Sequence, residues 1–498
     1  MRIASYEWSV PSGARALPKC ALDARSHAQG GPIDDGVQSA AATYRALMCA
    51  RPSAEARDRG AALVDAVLAG TGGEPCAVPD SPNDLLQWMR RGAQAVAAEY
   101  AQYLQARKEG APRRYFSNRA HALHFLRCVA PTKLVDGAWL YGLLCQGRDP
   151  RFEHLVTTYL EELGCGDPDK NHVLLYRKLM ARCGIEMPDD LPETLYVQGA
   201  IQLGLAWNAE RFLPEIIGFN LGYEQLPLHL LITSYELNEL AIDPYYFQLH
   251  VTVDNTDTGH AHRACAAVRE LMPQLGDAEA FWARVRNGSR LADAGVGTTQ
   301  VIVDFDIEQE VCRILAHKSA AGRGAHSDYC KVAGRSVNDW LADPAAMPDF
   351  IAALRKAGWI KLGEPASASR FWGLLQGERA DMFGVFTAYE LQVIHDWLRG
   401  PASVDGMPYS ESGLADTRSR RPGFRAAERS LRMAASSVVG GRGEGPGLDP
   451  DLDALRGQLP GLDFAGRLAL LASAMSPTQH WTPSGLFATR EFCEQVYR

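Results

Sequence analysis

Apolar residues recur at spacings of three and four along most of this 498-residue chain, in stretches dominated by Ala, Leu, Glu and Arg. That period is the one a helix needs to bury a single face, so the expected class is all-α. The pattern is strongest, and the interruptions shortest, from about 115 to 290, which reads as one compact helical domain. Ahead of it, residues 1–35 are irregular and rich in Gly, Pro and Ser, and 36–108 carry helical patterns such as 84–103, broken at 70–82. Residues 300–400 read as a second unit, with Trp359, Phe371, Trp372, Phe383 and Phe386 as its small core. A breaker-rich stretch over about 400–460 reads as a linker or long loop, and 461–498 as a final helical element. The expected organisation is therefore 1–110 as an N-terminal extension, 111–290 as the main domain, 291–400 as an ancillary mostly helical domain and 401–498 as linker and C-terminal element.

Charge and cysteine usage narrow the function classes. Lys and Arg total 51 against 59 Asp and Glu, a net charge of −8. A mildly acidic chain has no electrostatic attraction to nucleic acid or anionic membranes. No stretch approaches the roughly 20 apolar residues of a membrane span, and Met1 to Cys20 lacks the apolar core of a secretory signal. The eleven cysteines are irregularly spaced and include no C-x-x-C, which reads as reduced thiols in a cytoplasmic protein. Phosphate-loop, H-E-x-x-H and nucleophile-elbow motifs are absent, and no dinucleotide fingerprint follows a strand.

The chemistry concentrates in Asp243-Pro-Tyr-Tyr-Phe-Gln-Leu-His250-Val-Thr-Val-Asp254-Asn-Thr-Asp257-Thr-Gly-His260-Ala-His262. Of 13 histidines, three fall between 250 and 262. On a helix, Asp254 lies about 40° from His250, Asp257 about 20° and His260 about 80°. Nitrogen and oxygen donors on one helix face suit iron, manganese or zinc. The plainer reading is a solvated polar face with Val251, Val253 and Ala261 buried, and Gly259 signals a bend that would move His260. Tyr245, Tyr246 and Phe247 read as core first and pocket lining second.

Two upstream segments offer partners. In Glu162-Leu-Gly-Cys-Gly-Asp-Pro-Asp-Lys-Asn-His172, Glu162 ends one helical run at a Gly164/Gly166/Pro168 breaker and His172 opens the next. In Pro214-Glu215-Ile-Ile-Gly218-Phe-Asn-Leu-Gly222-Tyr-Glu224, two glycines permit close helix approach. A carboxylate at Glu224 in so apolar a run needs a partner, either a metal or an arginine. Glu215 fits a first-turn acid and ranks below Glu224. Asp136, in Leu-Val-Asp-Gly-Ala-Trp139, is an additional carboxylate or, preferably, a local turn residue.

The order Glu-Leu-Gly-x-Gly…His, then an apolar Gly-rich run ending in Glu, then Tyr-Phe-x-x-His-x-x-x-Asp resembles the haem-oxygenase-like diiron oxidases, the iron-containing redox enzymes, over about 115–290. The resemblance implies a haem-oxygenase-like helical bundle and a pair of non-haem irons. It makes Glu162, His172, Glu224, His250 and Asp254 ligands, with His260 preferred and Asp257 kept for the last position. It implies two Fe(II) ions, O2 as co-substrate and a peroxo intermediate. The substrate would be small and amino-acid- or fatty-acid-like, oxidised by N-oxygenation, hydroxylation or C–C cleavage. Electrons would come from an external donor, a separate reductase or a small reductant, and a homodimer stays open. Two alternatives remain at this stage: a haem or mononuclear-metal enzyme of the same fold, with His121 or His124 as axial ligand, and a non-catalytic partner-binding protein that uses 300–400.

Overall fold

The computed structural model describes residues 39–71, 76–253, 259–324, 326–376, 380–400 and 449–496. These fold almost wholly into helices, and the β structure among them is a two-residue antiparallel ladder, Lys331–Val332 against Arg335–Ser336.

The chain opens with α1 (Ala40–Leu47), α2 (Ala54–Thr71) and α3 (Leu85–Lys108). Next come α4 (Arg119–Cys128) and the short α5 (Ala130–Lys133), then a 3-10 segment, Ala138–Gln146. The central set follows: α6 (Glu153–Glu162), α7 (His172–Arg182), α8 (Val197–Trp207), α9 (Ala209–Tyr223), α10 (Leu228–Glu239), α11 (Tyr245–Val253), α12 (His260–Leu271) and α13 (Ala278–Arg290). Beyond it lie α14 (Thr298–Val303), α15 (Ile307–Gly322), α16 (Val337–Leu341), α17 (Met347–Lys356), α18 (Arg370–Gln376) and α19 (Ala388–Arg399). The last described segment holds α20 (Pro450–Gln458), α21 (Phe464–Ala474) and α22 (Pro483–Val496).

Local chemistry sets the ends that matter. Asn171 caps α7 through its side chain, which accepts from Leu174 N at 3.0 Å, and so fixes His172 as the first helical residue. α6 stops at Glu162 because the next turn, Gly164-Cys165-Gly166, has positive φ throughout. Within α9 the backbone at Phe212 leaves the helical region (φ −110°, ψ 24°), so Pro214 and Glu215 sit in the first turn after a kink. The side chain of Asp449 caps α20, so 450–458 is helical where the sequence reads as linker; 401–448 lies outside the described residues.

The core is built on large buried rings, Phe116, Phe125, Trp139, Tyr159, Tyr176 and Phe219 among them. α9 crosses α13 at unusually short range: a Cβ at Gly218 would stand 1.8 Å from the Val285 carbonyl oxygen, and one at Gly288 would stand 2.3 Å from that of Glu215. The 298–400 region packs on α4, where Asp396 accepts from Ala120 N at 2.9 Å. Of its expected core rings, Phe371, Trp372 and Phe386 are buried, whereas Phe383 is exposed. The C-terminal helices pack behind α6 and α7: Tyr159 Oη donates to Met475 O at 2.7 Å, and Asn171 Nδ2 donates to His480 O at 3.3 Å.

Candidate metal centre

The end of α6, the start of α7, the end of α9, α11, the start of α12 and the turn after α5 bring six titratable side chains into one buried region. Asp136, Glu162, His172, Glu224, His250 and His260 are each at most 8 % exposed. They form two donor groups, Asp136–Glu162–His172–His250 and Glu162–Glu224–His260, with the donor atoms inside each group within 4.8 Å of one another. Glu162 belongs to both. Three carboxylates and three imidazoles in an apolar interior are costly to desolvate unless something of opposite charge gathers them.

The geometry suits a cation as well as direct pairing. Glu162 Oε2 and His172 Nδ1 lie 2.6 Å apart, yet they make no hydrogen bond and neither buried atom has another hydrogen-bond partner. Two buried, unsatisfied donors that close need a partner, and a cation would serve both. His250 Nδ1 lies 2.8 Å from the Tyr246 carbonyl oxygen, to which its N–H donates. Its Nε2 lies in hydrogen-bond range of Asp136 Oδ2 at 3.0 Å, the direction in which a neutral ring would offer its lone pair to a cation. His260 Nε2 similarly donates to Glu161 Oε2 at 3.0 Å. Its Nδ1 then faces Glu224 Oε2 at 3.1 Å and Glu162 Oε1 at 3.3 Å. A ring that gives one N–H to a carbonyl or carboxylate and turns its other nitrogen inward is arranged as metal-binding histidines are.

The electrostatics are strongly coupled. Burial acts to raise the Glu162 carboxyl, but His172 and His260 win and hold it well below the ordinary range. Burial also opposes ionisation of Asp136, and Lys133 and His250 overcome it. Burial lowers His250, but its bond to Asp136 lifts it to about 9. The Lys133 ammonium stands 4.0 Å from Asp136 Oδ2, beyond hydrogen-bond range. Tyr246 Oη donates to the same carboxylate at 2.5 Å.

Of the residues singled out in the sequence, Glu162, His172, Glu224, His250 and His260 are brought together, whereas Asp254 and Asp257 lie outside the described residues. His250 and His260 do not share a helix face. α11 is described to Val253, and Gly259 has extended backbone (φ −80°, ψ −168°) as the N-cap of α12, so His260 enters from a second helix. The helical arithmetic failed at the glycine that had signalled a bend. Asp136, which the sequence offers as an additional carboxylate or a turn residue, is both beside a turn and part of a donor group. Gly137 does turn the chain at φ +77°, but Asp136 is 3 % exposed and its carboxylate joins the first donor group. Gly137 serves that packing as well, since a Cβ there would stand 2.8 Å from Glu162 Cβ. Glu161 and Arg263, which steady His260, were not picked out; the Glu161-Glu162 doublet and the i, i+3 spacing of His260 and Arg263 were the available signals. Glu215 takes the duller partner, an arginine: Arg284 Nε and Nη2 donate to it at 2.7 and 2.6 Å. Tyr246 and Phe247 are core, while Tyr245 is 41 % exposed.

The proposed haem-ligating histidines are otherwise engaged. His121 Nε2 contacts the Ile302 carbonyl at 2.8 Å and its ring stacks on Phe305 at 4.5 Å. His124 Nε2 contacts Cys128 Sγ at 3.3 Å. Neither residue belongs to the donor groups.

A family model described as iron-containing redox enzyme matches residues 123–293, a span that holds all six converging side chains. No curated protein and no solved structure matches the chain. The matched helices carry the haem-oxygenase-like, all-α fold of that family. Over residues 123–293 the chain is similar to the iron-containing redox enzymes.

Proposed function

We propose that the protein is a non-haem diiron oxidoreductase that uses O2 to oxidise a small amino-acid- or fatty-acid-like substrate. The observation that carries this reading is the shared carboxylate, Glu162, which belongs to both donor groups. Asp136, Glu162, His172 and His250 would hold one iron, and Glu162, Glu224 and His260 the other, with Asp254 and Asp257 as further candidates. Two irons held there would bind O2 and supply its oxidising power to N-oxygenation, hydroxylation or C–C cleavage. The chain's own part is to keep the donors in place and exclude water. Glu161 and the Tyr246 carbonyl hold protons on the outward nitrogens of His260 and His250, leaving the inward nitrogens as electron-pair donors. Tyr246 Oη and the Lys133 ammonium orient Asp136 and balance its charge. The electrons would come from an external reductant.

Anaerobic loading with Fe(II) tests the reading. About two irons per chain are expected in the wild type and well under one in Glu162→Ala, because both positions lose a ligand. O2 uptake should then accelerate with some member of a panel of amino and fatty acids. Full iron retention by Glu162→Ala, or a Soret band in the purified protein, would overturn it.

A further inference from the structure

Arginine is withdrawn from water chiefly where an acid pairs it. Arg177, on α7, is half-buried and has no such partner among the described residues. The other described arginines that are buried or half-buried each make a hydrogen bond or an ion pair, as Arg127 does with Asp190, Arg107 with Glu239 and Arg313 with Glu310. Arg177 makes neither, and its Nε–H is buried without an acceptor. Burial opposes the charge of all these groups. Hydrogen bonds to Glu239 and Glu310 raise Arg107 and Arg313 in spite of it, whereas Arg177 is lowered. An unpaired cation out of water is costly.

Its neighbour is Trp481, in the turn between α21 and α22. The guanidinium carbon stands 3.8 Å from the centre of the indole ring. Stacking engages the face of the guanidinium and leaves its N–H groups, which lie in the plane, unbonded. The indole N–H of Trp481 is likewise buried without an acceptor. Two side chains in contact, both donors and both lacking an acceptor, define what completes them: a group with negative charge and several lone pairs.

The site carries one positive charge. His480, next to Trp481, has a neutral ring. Asn171 Oδ1 accepts from Leu174 N, so Asn171 Nδ2 is the atom facing His480 Nδ1 at 3.1 Å, and it donates. A ring nitrogen that accepts is unprotonated, and burial pushes this imidazole down to about 3. One guanidinium matches one carboxylate, whose two oxygens take its forked donors; a phosphate dianion would keep excess charge. The same bonds set the site close to the metal centre, because Asn171, which also donates to His480 O at 3.3 Å, caps α7 immediately before His172.

We propose that Arg177 and Trp481 bind the carboxylate of a small acidic molecule. Its oxygens accept from the in-plane N–H groups of Arg177 and from the indole N–H. That molecule is either the compound oxidised at the metal centre or a second ligand. Binding at Arg177 requires no iron, so the site is separable from the diiron reading.

Calorimetric titration of the full-length protein tests this, with acetate, decanoate, glutamate and citrate as sodium salts against sodium chloride of equal ionic strength. At least one carboxylate should bind saturably. Arg177→Met, which keeps an apolar stem over Trp481 and removes the charge, should weaken it at least about tenfold, and Trp481→Phe, which keeps a ring and removes the N–H, should weaken it less. The urea midpoint of Arg177→Met without carboxylate should match or exceed that of the wild type, because an unpaired charge is gone. A wild type that binds none of the four overturns the proposal. So does an Arg177→Met variant that binds equally well, and with a lowered midpoint that result marks the stack on Trp481 as structural only. Iron loading and exposure to O2 then identify the source: a carboxylate recovered oxidised is the substrate, and one recovered unchanged is a second ligand. A chain that binds carboxylate but no iron sinks the diiron reading and leaves this site standing.

Discussion

At the scale of single residues, the centre depends on side chains that hold no metal themselves. Gly137 is one. Its φ of +77° excludes most other residues cheaply, and the space a Cβ would need is filled by Glu162 Cβ and Cγ at 2.8 and 2.9 Å. Gly137→Ala should therefore cost about 2–4 kcal/mol and displace the carboxylate common to both donor groups. Urea unfolding and iron content should fall together; a variant with wild-type values for both would show that this contact constrains nothing. Glu161 is the complementary case. It is partly solvent-exposed and its removal leaves no cavity in the core, but it accepts the outward N–H of His260. Glu161→Ala should weaken iron binding by about 10–100-fold with little change in the unfolding midpoint, read by competition with a chelator. Equal affinity in the variant would mean that His260 is oriented by packing alone.

Helices show where sequence reading succeeds and where it stops. The boundaries at Glu162 and His172 were legible because breakers and a cap mark them, and the Gly218-to-Gly222 run was legible as a close-packing face. The α9–α13 crossing makes that second point testable. Gly218→Ala sets a Cβ 1.8 Å from the Val285 carbonyl oxygen, so the helices must part, at about 3 kcal/mol or more. Gly92, in the middle of α3, has nothing within 4 Å of its virtual Cβ, and Gly92→Ala should stabilise by about 0.5–1 kcal/mol. Opposite signs in urea midpoints are expected for one and the same substitution; matching signs would show that helix propensity, not helix approach, governs both. Asp136 was not legible, because a residue before glycine reads as a turn and its burial is a tertiary fact. The separation of His250 from His260 onto two helices was equally hidden, since a periodicity argument carries a helix through any segment whose polar residues keep its phase. Glu161 and Tyr246 act through hydrogen bonds to residues 99 and 110 positions away, a distance over which local pattern carries no information.

Across the whole molecule, the histidines that were candidates for haem instead join the central helices to the 298–400 region. His121 and His124 on α4 pack against Phe305, and the groups facing His124 from the neighbouring elements include Glu310, Arg313 and Arg127. Burial dominates both rings and lowers each from 6.5 to about 4. In the unfolded chain the same imidazoles take up protons near 6.5, so the folded state binds fewer protons across the interval from 6.5 down to about 4. Their contribution to stability is therefore complete above the higher value and drains away as pH falls through that interval, by up to about 3 kcal/mol for each ring. Glu310, whose carboxyl Arg313 and His124 hold below its usual 4.5 against burial, adds acid sensitivity only further down the scale. The two sources separate in pH. Urea midpoints of the wild type should drop steeply between pH 6.5 and 5, and His124→Asn should lower the midpoint at neutral pH but flatten that drop. If the variant keeps the full slope between pH 6.5 and 5, protonation of this imidazole does not set the acid stability of the contact between α4 and the 298–400 helices.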